Sequence, residues 1–298
     1  MPLVPSTLGA QLHLHDWGGR GPDLLAVHAA GFHGAAFGPL AAELRDAPGG
    51  PWRVVAPDLR AHGHSRLPEP HDLSWTGFAD DVLAVVDALG LQHAVGVGHS
   101  MGGAALVLAE ARRPGTFRAL YLYEPVIFPP GVATPGAGGS DPNSLATGAL
   151  RRRRRFASPD EAFANFAAKR PLADLRADAL RAYVDHGLLP TGEGDWTLAC
   201  APEDEAQLYR RGHESGAFAV LGDVHAPVAV ANADDGTSPG SWAPALAAAL
   251  RNGQHRPLAG VQHFGPLQDP ALVAADVAAF LGGLAGDGAA PGPGSRTL

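Results

Sequence analysis

The chain has 298 residues, of which 46% are hydrophobic and 17% are charged, and its formal net charge is −8. This length and balance suit one large globular domain or two small ones, and an acidic chain without a sustained basic stretch is a poor candidate for a nucleic-acid-binding protein. The single cysteine, Cys200, excludes an intramolecular disulfide. Because the sequence has neither a run of about 18 apolar residues nor the pattern of a signal peptide, we expect a cytoplasmic protein without a membrane span.

Short apolar runs alternate with stretches of helical periodicity along most of the chain. The runs are typical of strands buried on both faces of a parallel sheet, and they lie at residues 24–28, 53–57, 94–98, 119–123, 227–231 and 255–258. Helices are predicted at residues 75–89, 101–113, 241–250 and 271–281. The alternation predicts an α/β fold with a mostly parallel twisted central sheet and helices on both faces.

The alternation stops between residues 125 and 223. A Pro/Gly/Ser-rich loop at 136–143 is followed by helical stretches at about 161–168, 175–186 and 203–212. We therefore predict a sheet core formed by residues 1–124 and 224–284, with a helical insertion at 125–223. The small, Gly/Pro-rich residues 285–298 are predicted to form a disordered tail.

A motif that carries chemistry lies at residues 98–102, which read Gly-His-Ser-Met-Gly and fit G-x-S-x-G. The motif follows a predicted strand and precedes a predicted helix, which is the strand–turn–helix context that it requires. A nucleophile on such a tight turn needs strained backbone dihedrals and small flanking residues. The helix behind Ser100 also directs backbone N–H groups and the positive end of its dipole at the site. The motif therefore predicts that Ser100 is a nucleophile.

With this motif, the chain from about residue 12 to 281 resembles the α/β-hydrolase fold superfamily. Residues 58–65 resemble the family's D-x-R-G-H-G-x-S turn, with Ala61 in place of the first Gly. Residues 235–239 resemble the loop of the catalytic acid, and residues 262–266 resemble the loop of the catalytic histidine. The order Ser, Asp, His is the one found on this fold. The resemblance implies a catalytic triad of Ser100, Asp235 and His263, and a cap domain for the insertion.

The catalytic acid has competing candidates. Asp234 neighbours Asp235, and the spacing to Pro239 favours Asp235. Glu124 is a second candidate, because it follows the apolar run 119–123 and some members of the fold place the acid there. The favoured interpretation of Glu124 is that it begins the insertion and lines the site.

The resemblance also implies two backbone donors for the oxyanion of a tetrahedral intermediate. One is the N–H of Met101, directly after the nucleophile. The other comes from the loop after the strand that ends at His28, where the family usually shows His-Gly and this chain has two alanines before Gly31. We predict that Ala30 supplies this second N–H.

Several other polar residues have structural interpretations. His62 and His64 are two residues apart, as metal ligands can be, but their place in the turn motif favours a structural role. His28 and His99 flank the predicted pocket and are expected to be buried hydrogen-bonding residues. The five arginines at 151–155 are interpreted either as a solvated helix face or as an anchor for an anionic substrate group, for which the planar guanidinium is suited.

The favoured function is that of a serine hydrolase that cleaves a carboxylic ester of a small molecule through an acyl-enzyme, without cofactor or metal. Haloalkane dehalogenases and epoxide hydrolases of this fold carry Asp where this chain has Ser100, which argues against both. Thioesterase, lactonase, carbon–carbon bond hydrolase and cofactor-free haloperoxidase activities use the same triad and remain alternatives. A ligand-binding receptor or scaffold with this fold is the non-enzymatic alternative.

Overall fold

The computed structural model describes residues 3–47, 50–132, 144–237 and 239–287. In chain order, its strands are β1 (Val4–Pro5), β2 (Gln11–Leu12), β3 (Leu14–Asp16), β4 (Asp23–Val27), β5 (Arg53–Pro57), β6 (Ala94–His99), β7 (Phe117–Tyr123), β8 (Arg155–Phe156), β9 (Leu188–Pro190), β10 (Trp196–Leu198), β11 (Val228–Ala233) and β12 (Gly253–Leu258). Its α-helices are α1 (Gly38–Arg45), α2 (Trp75–Leu89), α3 (Met101–Arg112), α4 (Ser144–Leu150), α5 (Pro159–Ala167), α6 (Ala177–Gly187), α7 (Pro202–Arg210), α8 (Ala243–Ala249), α9 (Gly265–Gln268) and α10 (Pro270–Asp287).

A seven-stranded sheet with the order β12-β11-β7-β6-β4-β5-β3 forms the centre of the molecule. All neighbouring strands are parallel except β3, which pairs antiparallel with β5 at one edge. Every residue of β6 and β11 is buried, as expected for strands covered on both faces. The predicted mostly parallel sheet is therefore confirmed, and its six parallel strands are the six predicted apolar runs.

Helices cover both faces of this sheet. Because successive side chains of a strand point to opposite faces, Leu24 and Leu25 of β4 belong to two different clusters of buried residues. The cluster that contains Leu25 includes residues of α2, α3 and α8. The cluster that contains Leu24 includes residues of α1 and α10. Ser74 is the N-cap of α2, since its side chain accepts the N–H of Gly77.

The segment between β7 and β11 contains α4 to α7, and helices were predicted at the positions of α5, α6 and α7. It also contains a small antiparallel sheet of order β8-β10-β9, which the sequence did not predict because its strands have only two or three residues. Phe166 and Tyr183 of this segment pack in the same cluster as Phe32 of the core. The insertion therefore rests on the edge of the sheet where the parallel strands end.

Two predictions concern residues at the limits of the described ranges. The predicted loop at 136–143 lies outside them. Helix α10 continues to Asp287, past the predicted start of the tail at residue 285, and residues 288–298 lie outside the described part. Within the described ranges, no helix combines the length and the apolar character that crossing a bilayer requires.

Candidate active site

Ser100 occupies the turn between β6 and α3 with φ 54° and ψ −114°, a conformation that costs strain for a non-glycine residue. A Cβ at Gly98 would lie 2.6 Å from the Cα of Gly103, and a Cβ at Gly102 would lie 2.1 Å from the carbonyl oxygen of Val27. The two glycines of the motif are therefore required by close backbone approach. The strained turn that the motif predicts is present, and it presents Ser100 at the end of the central strand β6.

His263 is paired with Glu124. Its Nδ1 lies 2.6 Å from Oε2 of Glu124, and Oε1 of Glu124 accepts the N–H of Ala233 at 2.9 Å. The Glu124 side chain has no exposed surface, whereas that of His263 is 30% exposed and borders the same cavity as Ser100. A Cβ at Gly240 would lie 2.4 Å from Oε1 of Glu124, so this glycine leaves room for the carboxylate. No hydrogen bond joins the Ser100 hydroxyl to His263 in the described residues, and catalytic contacts of this kind often close only when substrate binds.

Asp235, the predicted acid, does not contact His263. It lies on an exposed turn after β11, where its Oδ1 accepts the N–H of Thr237 at 2.9 Å and the Thr237 hydroxyl at 2.8 Å. The structure therefore corrects the predicted pair and places the second candidate, Glu124, beside the imidazole. Asp235 is held within its own turn, whereas the N–H of Ala233 holds the carboxylate of Glu124 and Gly240 leaves room for it.

Two buried side chains hold the loop that carries His263. The Nε2 of His99 donates to the carbonyl oxygen of His263 at 2.8 Å, and the hydroxyl of Tyr123 donates to the carbonyl oxygen of Gln262 at 2.7 Å. Burial lowers the pKa of His99 well below its usual value, so its imidazole is neutral near pH 7. His99 was expected to be a buried hydrogen-bonding residue. Tyr123 was not singled out, and the only signal in the sequence is a tyrosine at the end of a buried strand.

Ala30 and Met101 line the cavity beside Ser100. Met101 is the first residue of α3, and neither its N–H nor that of Ala30 donates to a backbone carbonyl within the described residues. The chain turns after Ala30 at Gly31, whose φ is 75° and whose N–H donates to Nε2 of His62 at 3.1 Å. Ala30 and Met101, the residues predicted to donate to an oxyanion, therefore border the cavity beside Ser100, and among the described residues no backbone carbonyl accepts their N–H groups.

The buried histidines near this turn support the backbone. Nε2 of His28 accepts the N–H of Leu59 at 2.9 Å, while its Nδ1 donates to the carbonyl oxygen of Ala29. Nδ1 of His62 donates to the carbonyl oxygen of Arg60. Burial lowers the pKa of His28 well below its usual value and also lowers that of His62. Neither side chain lines the cavity, whereas His213 and His263 do. Of these two, His263 is the one paired with a buried carboxylate.

Ser100 and His263 border two adjoining lobes of a cavity. The smaller lobe, of about 120 Å³, is called the apolar lobe here, and its hydrophobic lining residues include Trp75, Val126, Phe128 and Leu208. The larger lobe, of about 640 Å³, is called the basic lobe, and its charged lining residues besides His263 are Arg151, Arg152, Arg153, Lys169, Arg170 and Glu205. Most of these side chains belong to the insertion, which therefore forms the walls of the cavity above the sheet.

The arginine run at 151–155 is divided between the cavity and the surface. Its first three residues line the basic lobe. Arg154 and Arg155 are exposed and form ion pairs with Glu203 and Glu193, respectively. The run follows α4 and enters β8, so the expected helix face is wrong. Its last two residues are solvated, and the interpretation as an anchor for an anion concerns the first three, which border the cavity.

Metal-ligating side chains do not form a cluster at this cavity. Within the described ranges, one set of three such side chains could hold a metal ion, and it consists of His13, His15 and Asp58. None of these residues lines either lobe.

Comparison with known proteins identifies relatives of the whole fold. The model of the alpha/beta hydrolase family matches residues 24–276. A bifunctional esterase/perhydrolase from Acinetobacter calcoaceticus is 38% identical over 120 residues, which are 38% of this chain and 40% of that protein. A 2-(acetamidomethylene)succinate hydrolase from Mesorhizobium japonicum is 29% identical over 212 residues, which cover 71% of this chain and 70% of that protein. Lipase LipV from Mycobacterium tuberculosis is 32% identical over 63% of this chain and 67% of its own length.

Solved structures agree on the architecture. The crystal structure of E-2-(acetamidomethylene)succinate hydrolase superposes with a TM-score of 0.73 and 23% sequence identity, covering 92% of this chain and 96% of that one. The thioesterase domain from the curacin biosynthetic pathway superposes with a TM-score of 0.68 and 21% identity, covering 90% and 95%. At these identities the likeness establishes the fold.

Proposed function

The chain belongs to the alpha/beta hydrolase family, and we propose that it is a serine hydrolase that cleaves carboxylic esters of small molecules through an acyl-enzyme. The observation that carries this proposal is the His263–Glu124 pair at a cavity that also holds Ser100 on a strained turn. A serine, an imidazole and a buried carboxylate in this arrangement supply a nucleophile, a general base and a group that orients the base.

In the proposed mechanism, Ser100 Oγ attacks the ester carbonyl carbon as His263 Nε2 removes the hydroxyl proton. Glu124 accepts the Nδ1 proton of His263 in a hydrogen bond, which fixes the tautomer and stabilises the imidazolium that forms. The imidazolium then gives its proton to the leaving alcohol as the tetrahedral intermediate collapses to the acyl-enzyme. A water activated by His263 hydrolyses this intermediate and regenerates the serine. Asp235 has no part in these steps.

The N–H groups of Met101 and Ala30 are proposed to bind the negative oxygen of both tetrahedral intermediates. Each such donor typically contributes about 3–4 kcal/mol of transition-state stabilisation. The insertion at 125–223 is proposed to act as a cap that shapes the cavity and limits the access of water.

The relatives support this class of reaction. They include an esterase/perhydrolase and a lipase, which favours an ester as the substrate. Another is a 2-(acetamidomethylene)succinate hydrolase, so a substrate that carries carboxylates is within the range of the family.

The test is covalent labelling with a fluorophosphonate, read by intact mass. We expect one adduct per chain on the parent protein and none on the Ser100→Ala variant, because the fluorophosphonate reacts with an activated serine. The control is Ser241→Ala, which removes an exposed hydroxyl and should keep the adduct. Absence of an adduct on folded parent protein, or an adduct that persists in Ser100→Ala, would refute the proposed nucleophile and favour the ligand-binding alternative.

A further inference from the structure

The cationic side chains that line the basic lobe outnumber the acidic side chains that line it. Five of its lining residues are cationic and one, Glu205, is acidic, although the chain as a whole has a net charge of −8. The average composition of the chain does not explain why positively charged side chains are concentrated at one cavity. The ion pairs of each cation show how much of this charge remains available.

Three of the five cations have acidic partners. Arg152 is bound by the carboxylate of Glu205 and the hydroxyl of Tyr183, so it serves as a structural wall of the lobe. The other two pairs are more exposed: Arg153 pairs with Glu161, and Arg170 pairs with Asp174.

The other two cations are not neutralised. The Lys169 ammonium donates to the amide oxygen of Asn165 at 2.8 Å, which is a neutral partner. The guanidinium of Arg151 is exposed and has no hydrogen-bond or ion-pair partner among the described residues. Two uncompensated positive charges therefore border the same lobe as Ser100 and His263.

We propose that the basic lobe binds a carboxylate carried by the substrate, with Arg151 and Lys169 as its ligands, so that the preferred ester is anionic. This inference rests on the proposed function, since it assigns a substrate class to that site. The planar fork of an unpaired guanidinium matches the two oxygens of a carboxylate, and Lys169 adds a second charge. A lobe lined by cations also raises the local concentration of anionic substrates and steers their approach.

The experiment compares monoethyl adipate with ethyl adipamate, two esters of the same size that differ in having a terminal carboxylate or a terminal amide. We expect kcat/KM to be about tenfold higher for the carboxylate, the effect of one charge-assisted hydrogen bond. The preference should fall in Arg151→Gln and Lys169→Gln, mainly through a higher KM for the carboxylate ester. Raising the ionic strength from about 0.05 to 0.5 M should also reduce the preference for the carboxylate ester, because salt screens charges at the mouth of a cavity.

The matched control is Arg154→Gln, which alters the same arginine run but removes a charge that is paired with Glu203 outside the lobe. The Arg154→Gln variant should keep the preference for the carboxylate ester. Equal kcat/KM values for the two esters, or a preference that persists in Arg151→Gln and Lys169→Gln, would overturn the inference. Calorimetric binding of both esters to Ser100→Ala separates the two proposals. Tighter binding of the carboxylate without turnover by the parent would refute only the hydrolase function, whereas turnover without a binding preference would refute only the carboxylate site.

Discussion

At the scale of single residues, the identity of the carboxylate beside His263 decides which variants lose activity. Glu124 is buried and bonded to Nδ1 of His263, whereas Asp235 is exposed and bonded within its own turn. Glu124→Gln should lower kcat/KM for an activated ester by about 10²- to 10⁴-fold, because a neutral amide neither fixes the productive tautomer nor stabilises the imidazolium. Asp235→Asn should leave kcat/KM within about twofold, as expected for an exposed side chain away from the reacting groups.

Steady-state kinetics of the two variants test this assignment, with circular dichroism as a check that each is folded. The substitutions are matched, since each replaces a carboxylate with its amide at nearly constant volume. A large loss in Asp235→Asn together with a small loss in Glu124→Gln would restore the acid that the sequence favoured and contradict the geometry described here.

The sequence could not decide between these two acids for a physical reason. Both follow a buried parallel strand, and spacing to a proline is a weak local signal. What holds Glu124 at the imidazole is non-local: the N–H of Ala233 donates to its Oε1, and Gly240 leaves space for the carboxylate. By contrast, the turn at Ser100 was predictable because its glycines, strand and helix are contiguous in the chain.

At the scale of elements, the ends of β6 and β7 hold the loop that carries His263. Tyr123→Phe removes the hydrogen bond from the Tyr123 hydroxyl to the carbonyl oxygen of Gln262, the residue before His263. We expect kcat to fall by about tenfold with little change in KM, because one lost buried hydrogen bond is worth about 1 kcal/mol and a loosened imidazole is misplaced in the transition state.

A matched control lies on the same strand. Tyr121→Phe removes the hydrogen bond from another buried tyrosine, which donates to Asp276 of α10 rather than to the His263 loop. It should lower the free energy of unfolding by a similar amount and leave kcat unchanged. Equal effects of both substitutions on kcat would mean that Tyr123 acts through general stability and does not position the histidine.

The elements themselves differed in how well the sequence predicted them. Five of the parallel strands were predicted because each is a mainly apolar run that is largely buried. The edge strand β12 is largely exposed, and its signal in the sequence is weaker. The strands of the small sheet in the insertion and the N-terminal strands β1 to β3 are two or three residues long, too short for periodicity to identify. Two of them, β3 and β8, pair with strands distant in the chain, which are β5 and β10.

At the scale of the whole molecule, buried histidines couple stability to pH. Burial lowers the pKa values of His28, His62 and His99, and it lowers that of His33 to about 4. In the unfolded chain these imidazoles take up protons near pH 6.5. Between that pH and the lower folded pKa, the unfolded state binds more protons, so the free energy of unfolding falls as the pH falls. Their contribution is fully present above about pH 6.5 and is lost toward pH 4.

His33 provides the test because it connects the two parts of the molecule. Its Nε2 donates to the carbonyl oxygen of Tyr183 in α6. Protonation would add a charge at the buried Nδ1, which has no hydrogen-bond partner among the described residues. Each such imidazole should contribute about 1.4 kcal/mol per pH unit in this window. Urea unfolding between pH 7 and pH 5 should therefore show a slope that is shallower by about one proton in His33→Gln, whereas His225→Gln, at an exposed position, should keep the parent slope. If the free energy of unfolding of the parent protein were constant from pH 7 to pH 5, these histidines would be accessible to protons in the folded state. The close packing of the insertion against the sheet would then be wrong.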